Sequence, residues 1–130
     1  MGKPAAKLGD QVVGIDIHIV MVPSAGGPVP TPRSCPFSGR IMTGCSTDVL
    51  IEGKPAAIHG SVALNLPPHV PSGGTFQNPP DNRGSVIAIG PLVLVNGKPL
   101  AKAGDKVLSC NDPAPAPTCT VIATGQVLVG

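Results

Sequence analysis

The chain contains very few aromatic residues and little charge. Among its 130 residues there is no Trp and no Tyr, and Phe occurs only at Phe37 and Phe76. Charged residues make up 12% of the chain, and the formal net charge is +2. Nucleic-acid surfaces need a basic stripe, and single strands also need aromatic platforms for stacking. The composition therefore argues against a nucleic-acid partner and predicts a thin core of small branched side chains.

Long apolar segments are also missing. No apolar run approaches the ~20 residues of a membrane span, and the N-terminal Met1-Gly2-Lys3-Pro4 lacks the apolar region of a signal peptide. We therefore expect synthesis and assembly in the cytoplasm. In that reducing compartment, cysteines 35, 45, 110 and 119 are expected to be thiols or metal ligands rather than disulfides.

The sequence predicts a single all-β domain spanning residues 1–130. No window has the 3.6-residue apolar period of a helix, and prolines interrupt nearly every candidate segment. Glycine and proline number 17 each, which approaches a disordered composition. Leu, Ile, Val and Phe nevertheless make up about 27% of the chain, above the roughly 20% typical of disorder.

The strands are predicted from alternation and turn signals. Residues 11–22 alternate, with five apolar side chains on one face and Gly14, Asp16 and His18 on the other. Tight turns are predicted at Glu52-Gly53 and Asn96-Gly97. The other predicted strands are short: 48–51, 85–89, 92–95, 105–108, 120–123 and 126–129. Two long Pro/Gly-rich loops are expected, at 23–45 and 66–84.

One motif occurs three times. It reads "GKPAAKLGD" at 2–10, "GKPAAIHGS" at 53–61 and "GKPLAKAGD" at 97–105. His18 lies sixteen positions after Gly2, and His69 lies sixteen positions after Gly53. The third repeat has a proline at that place, with Cys110 three residues earlier. Three similar units around one axis would bring these side chains together, so the repeat predicts a pseudo-threefold domain with a metal near one end.

The expected metal is one structural zinc ion, which takes four nitrogen or sulfur ligands. The predicted ligands are His18, Cys35, His69 and Cys110, although Cys35 could also be an ordinary loop thiol. His59 is the runner-up, with a hydrogen-bonded, buried or half-buried histidine as its alternative.

The other candidate side chains have simpler interpretations. Cys45 and Cys119 are interpreted as small buried hydrophobic residues, and Asp16 and Glu52 as exposed strand or turn residues. Two enzymatic alternatives stay open, a Cys–His nucleophile pair and a small zinc-dependent hydrolase with an open metal position.

The repeats resemble a known family. "KPAAKLGD", "VLIEGKPAAIHGS" and "VLVNGKPLAKAGD" are similar to the Pro-Ala-Ala-Arg repeat of the PAAR family, although Lys7, Ile58 and Lys102 replace its arginine. "GGPVPTP", "CPFSG", "LPPHVPSGG", "SCNDP" and "GQVLVG" resemble its longer-loop branch, so the likeness spans the chain.

The resemblance implies a small conical all-β domain and a non-enzymatic function. Such a domain caps the trimeric β-helical (VgrG-like) spike of a type VI secretion or related contractile injection system, with one tip per trimer. It also implies delivery at the tip of the apparatus, transient contact with the target membrane, and secreted effectors as further partners. Zinc would be held by histidines and a cysteine, which matches His18, His69 and Cys110. The family's Pro-His-Pro-Phe reads Ser34-Cys35-Pro36-Phe37 here, so the resemblance implies a two-His, two-Cys site.

Overall fold

The computed structural model describes residues 2–71, 73–88 and 93–129. Within these ranges the chain forms strands, turns and irregular segments, and none of it is helical. The described residues thus include no helix that is long and apolar enough to cross a membrane. The prediction of an all-β domain is confirmed.

The described residues form thirteen strands. In chain order they are β1 (Lys3–Pro4), β2 (Gln11–Val22), β3 (Val29–Thr43), β4 (Leu50–Ile51), β5 (Lys54–Pro55), β6 (Val62–Asn65), β7 (Thr75–Phe76), β8 (Arg83–Ile87), β9 (Leu94–Val95), β10 (Lys98–Pro99), β11 (Lys106–Ser109), β12 (Ala116–Ile122) and β13 (Leu128–Val129). Strands occur in all the predicted places. Strand β2 has the predicted bounds and the others are shifted, and the predicted strand residues Ile89 and Leu92 lie outside the described residues.

Six of the strands close into a small barrel. Their order is β12-β11-β8-β6-β3-β2, and the pairing of β12 with β2 closes the ring. All of these pairings are antiparallel, and β7 adds to β2 outside the ring. Closure pairs the strands on both sides and leaves the barrel without an open edge along its paired length.

The prediction of a long loop at residues 23–45 was wrong. Most of this segment is strand β3, which pairs with the whole of β2, from Gln11 opposite Arg40 to Val22 opposite Val29. Strand β6 pairs only with residues 39–43 of β3, so within the described part of the chain no strand pairs with the other edge of β3 before that point. Prolines 30, 32 and 36 are two and four residues apart. The backbone positions at which they lack an N–H therefore all face the same edge of β3. Proline is tolerated on an unpaired edge, which explains how this proline-rich segment forms a strand. The second predicted loop, 66–84, is largely irregular, as expected.

The two predicted tight turns are confirmed. Glu52 and Gly53 have φ values of 52° and 84°, and Asn96 and Gly97 have values of 53° and 79°. Two consecutive positive φ angles match the twist of a two-residue hairpin. These turns join β4 to β5 and β9 to β10. The corresponding strand pair of the first repeat is β1 with β13, which come from opposite ends of the chain.

The three repeats form a cyclic layer at one end of the barrel, here called the base. The Ala6 amide donates to the Ala101 carbonyl at 2.9 Å, Ala101 donates to Ala57 at 2.9 Å, and Ala57 donates to Ala6 at 3.0 Å. Isolated bridges repeat the cycle, pairing Ala5 with Lys102, Lys7 with Ala56, and Ile58 with Leu100. Each repeat thus contacts the other two in the same way, and the predicted pseudo-threefold arrangement of the repeats is present.

Buried apolar side chains form two clusters. The barrel cluster is built mainly from small residues around Phe37 and Ile41. The base cluster consists of Ala5, Ile51, Ala56, Ile58, Val95 and Leu100, with Val49 and Val129 packed against it.

Strand β2 turns its more polar face inward. Asp16 and His18 are completely buried, whereas Ile15 on the other face is 56% exposed. The barrel interior around β2 is therefore the location of a polar cluster.

Candidate metal centre

Three strands lead from the repeats to this polar cluster. Strands β2, β6 and β11 begin directly after Asp10, Ser61 and Asp105, the last residues of the three repeats. Asp16 and His18 lie on β2, His69 follows the end of β6, and Cys110 directly follows β11. The repeat layer therefore fixes the starts of the strands whose far ends carry the cluster.

Asp16, His18, His69 and Cys110 place one potential ligand atom each within 4.8 Å of one another. Asp16 Oδ2 lies 2.9 Å from His69 Nε2, 3.4 Å from Cys110 Sγ and 3.7 Å from His18 Nε2. Cys110 Sγ lies 3.7 Å from His18 Nε2. These four residues could hold a metal ion.

The distances suit tetrahedral coordination. With metal–ligand bonds of 2.0–2.3 Å, tetrahedral donors are separated by about 3.3–3.8 Å. Of the six separations among the four atoms, three fall within this range, and all six are within 4.8 Å. The 2.9 Å pair is shorter because His69 and Asp16 are hydrogen-bonded, and a cation between them would take the place of the shared proton.

The loop after Cys110 is hydrogen-bonded to β2 and faces Nδ1 of His18. Asn111 Oδ1 accepts from the Ile17 amide at 2.6 Å, and Asp112 Oδ2 accepts from the Ile19 amide at 3.0 Å. His18 Nδ1 lies 3.4 Å from Asp112 Oδ2 and is a buried atom for which the described residues offer no hydrogen bond. A metal-bound histidine typically directs its other nitrogen at a carboxylate, and Asp112 occupies that place.

Two asparagines position His69. Asn82 Oδ1 accepts from the His69 backbone amide at 2.8 Å and from Asn65 Nδ2 at 3.1 Å. Asn65 Nδ2 also lies 3.2 Å from His69 Nδ1, and Asn65 Oδ1 accepts from the Ser38 amide at 2.9 Å. Because this network fixes both the backbone and the ring of His69, a histidine in an irregular segment reaches the cluster in one defined orientation.

Asp16 is held as a carboxylate. Its burial would raise its pKa, but hydrogen bonds from Ser109, His69, Cys110 and Thr118 together outweigh burial, and the pKa lies below its ordinary value. The Thr118 hydroxyl donates to Asp16 Oδ1 at 3.0 Å, which leaves Oδ2 directed at the other three ligand atoms. The site therefore contains a buried anion ready for a cation.

Cys110 is protonated unless a cation is present. Burial is the main cause that raises the pKa of its thiol to about 12, and the charges of Asp16 and Asp81 add to the effect. The backbone amide of Asn82 opposes this rise by hydrogen bonding. A divalent metal binds the thiolate, so metal binding would release the proton.

The structure brings His18, His69 and Cys110 together but leaves Cys35 outside the group. Cys35 lies directly opposite Asp16 on β3, and burial, followed by the charges of Asp16 and Asp112, raises its thiol pKa. Its sulfur, however, faces the Arg33 carbonyl at 3.8 Å. The fourth residue of the group is Asp16, so the interpretation of Asp16 as an exposed strand residue was wrong. The sequence signal that could have identified Asp16 was its position two residues before His18, which places both side chains on the same face of β2.

The remaining candidates lie outside the group. His59 is exposed, and its Nδ1 accepts from the Ala88 amide at 3.2 Å, so its hydrogen-bonded interpretation holds although burial was wrong. Glu52 is exposed in its turn, as predicted. Cys119 is fully buried in the barrel cluster, which confirms its interpretation. Cys45 packs against the same cluster but is only half-buried. All four cysteines are free.

No protein-family model matches the chain, and no curated protein matches it.

Proposed function

We propose that this protein is a non-enzymatic, zinc-stabilised tip that caps the trimeric β-helical spike of a type VI secretion or related contractile injection system. The observation that carries the proposal is the cyclic layer of three repeats at the base. A trimeric spike ends in three identical chain segments around an axis, and a single chain can match them only by repeating one unit three times. The resemblance of the repeats to the PAAR family supports the same partner.

The base also has apolar side chains at three matched positions. Leu50, Leu94 and Leu128 lie opposite prolines 55, 99 and 4 in the three repeat hairpins. They are 60%, 64% and 61% exposed, respectively. Large apolar residues exposed in a repeated pattern indicate a surface that another protein covers. A threefold partner would bury all three leucines equivalently.

The metal centre fits a structural purpose. At the level of Gly14, a Cβ atom would lie only 2.5 Å from the Thr118 carbonyl, so this part of the interior has no room for an apolar side chain on β2. Beyond it, Asp16 and His18 replace core residues. A zinc ion bound by Asp16, His18, His69 and Cys110 would hold the ends of three strands together where packing is thin.

Burial of the site supports a closed centre over a hydrolytic one. A catalytic zinc keeps one coordination position open to water and substrate. Here Asp16 and His18 are fully buried and His69 and Cys110 are half-buried, and the group already offers four ligand atoms, the number that a structural zinc needs.

Complex formation tests the proposal. The protein should elute in gel filtration with the purified trimeric spike protein encoded in the same genome, at one tip per trimer. Burying a leucine that is about 60% exposed contributes about 1–2 kcal/mol. Replacing Leu50, Leu94 and Leu128 by alanine should therefore weaken binding by roughly two to four orders of magnitude.

Val70→Ala is the matched control, because Val70 is 78% exposed but lies next to His69 at the other end of the barrel. It should leave binding unchanged. If the native protein does not associate with the spike, or if the control weakens binding as much as the triple variant, the proposed function is wrong.

A further inference from the structure

The base carries three matched lysines in addition to its three leucines. Lys3, Lys54 and Lys98 are the first residues of strands β1, β5 and β10, and all three are exposed. They lie opposite Val129, Ile51 and Val95, respectively. Residues directly opposite in an antiparallel pair project from the same face. The lysines therefore extend from the hairpin face that carries the apolar base cluster and are arranged around its axis.

These lysines differ from the other lysines of the repeats. Lys7 and Lys102 form ion pairs within their own turns, with Asp10 at 3.2 Å and Asp105 at 2.9 Å. Among the described residues, no ion pair involves Lys3, Lys54 or Lys98. Their positive charges are thus available to a partner.

The acidic residues of the base follow a different pattern. Asp48 accepts from Asn96 Nδ2 at 2.7 Å, and Glu52 accepts from the Gln126 amide at 3.0 Å. In the register of the hairpins, Asn96 occupies the place of Glu52, and Gln126 that of Asp48, so neither carboxylate is repeated three times. Lysine is the one ionised residue type that the base repeats in all three hairpins without a partner in the described residues.

We propose that Lys3, Lys54 and Lys98 bind a ring of three Asp or Glu side chains at the end of the spike, one from each subunit. This inference rests on the proposed function. A trimer presents each side chain three times around its axis, so a carboxylate near the axis would meet one lysine in each repeat. Each leucine directly precedes the residue opposite a lysine, so the leucines project from the other face of the same hairpins. There they supply apolar contact, while the lysines select a partner with acidic residues and speed its association.

Salt dependence of binding tests the lysine ring. The dissociation constant is measured with the native protein, with a triple Lys→Gln variant at positions 3, 54 and 98, and with a triple Lys→Arg variant. Between about 0.1 M and 1 M salt the Debye length falls from about 10 Å to about 3 Å. The native protein should bind clearly more weakly at the higher salt concentration. At the lower one, Lys→Gln should bind roughly 10- to 100-fold more weakly with little further salt effect, and Lys→Arg should resemble the native protein.

The outcomes separate this inference from the proposed function. If the native protein binds the spike but salt and the Lys→Gln change have no effect, the lysine ring is wrong and the tip function stands. If the native protein does not bind, the tip function itself is wrong. Lysines on strand edges also discourage pairing between copies of a protein. If the Lys→Gln variant self-associates while its affinity for the spike is unchanged, the lysines serve to prevent pairing between copies, and the inference is overturned.

Discussion

The fourth ligand can be decided by a matched pair of substitutions, Cys110→Ser and Cys35→Ser. Both remove a thiol whose pKa is raised by burial and by the charge of Asp16, and both keep a hydroxyl of similar size. Cys110 Sγ lies 3.4 Å from Asp16 Oδ2 and belongs to the group of ligand atoms, whereas Cys35 Sγ faces a backbone carbonyl. The substitutions therefore differ in whether they remove a metal ligand.

The size of the effect follows from sharing the binding free energy among four donors. Structural zinc sites contribute about 10–16 kcal/mol, or roughly 2.5–4 kcal/mol for each donor. Cys110→Ser should therefore weaken metal binding by roughly two to three orders of magnitude. Cys35→Ser should change it by less than about threefold, because no donor is lost.

Cobalt provides the assay, since a cobalt–thiolate bond gives a charge-transfer absorption in the near ultraviolet. Affinities are obtained by competition with a chelator, and circular dichroism controls for folding. The absorption should be lost in Cys110→Ser and kept in Cys35→Ser. Asp16→Asn should bind the metal more weakly but keep the absorption, because the Cys110 thiolate is still present. If Cys35→Ser loses as much affinity as Cys110→Ser while Asp16→Asn loses none, the fourth ligand is Cys35 and our reasoning is refuted.

Three further predictions concern stability. Burial is the main cause that raises the Cys110 pKa from 9.0 to about 12, so the folded metal-free protein keeps a proton that the unfolded chain releases. Its free energy of unfolding should fall as pH rises above 9, by up to about 1.4 kcal/mol per pH unit for this group, and the zinc-loaded protein should not show this fall in urea titrations. A Cβ atom at Gly14 would lie 2.5 Å from a carbonyl oxygen, whereas one at Gly26 would meet nothing within 4 Å. Gly14→Ala should therefore lower the free energy of unfolding by about 3 kcal/mol or more, and equal melting temperatures for Gly14→Ala and Gly26→Ala would contradict the packing. Ser46 Oγ accepts two backbone amides at 3.0 and 3.1 Å and bonds to Asn96, so Ser46→Ala should cost about 1–3 kcal/mol in chemical denaturation, and an unchanged midpoint would contradict this network.

Local signals in the sequence predicted the base of the domain well. Each repeat places the same backbone conformation next to the same small residues, and the two hairpin turns have residues suited to positive φ angles. Strand β3 was missed because proline spacing alone does not reveal whether an edge will be paired. That depends on β6, which stops short of the proline-rich part of β3. The arrangement is a tertiary property that no local pattern contains.

Repeat register predicted the convergence of His18 and His69, whose ring centroids lie 5.0 Å apart. Alternation along β2 separated two faces but did not indicate which one was buried. The more apolar face would ordinarily be internal, whereas here the interior contains Asp16. Asp16 and Cys35 lie opposite one another on paired strands, so the choice between them depends on side-chain direction, which sequence does not fix.

A single chain with three repeats solves a problem that a true homotrimer would face. A homotrimer would place three copies of every residue around the axis, so it could not assemble one aspartate, two histidines and one cysteine at a single site. In this chain, the repeats keep the base equivalent three times over, while β2, β6 and β11 lead to different residues at their far ends. Equivalence of the exposed leucines and lysines is thus needed only where a trimeric partner would dock, and divergence of the repeats is needed where one aspartate, two histidines and one cysteine would surround one ion.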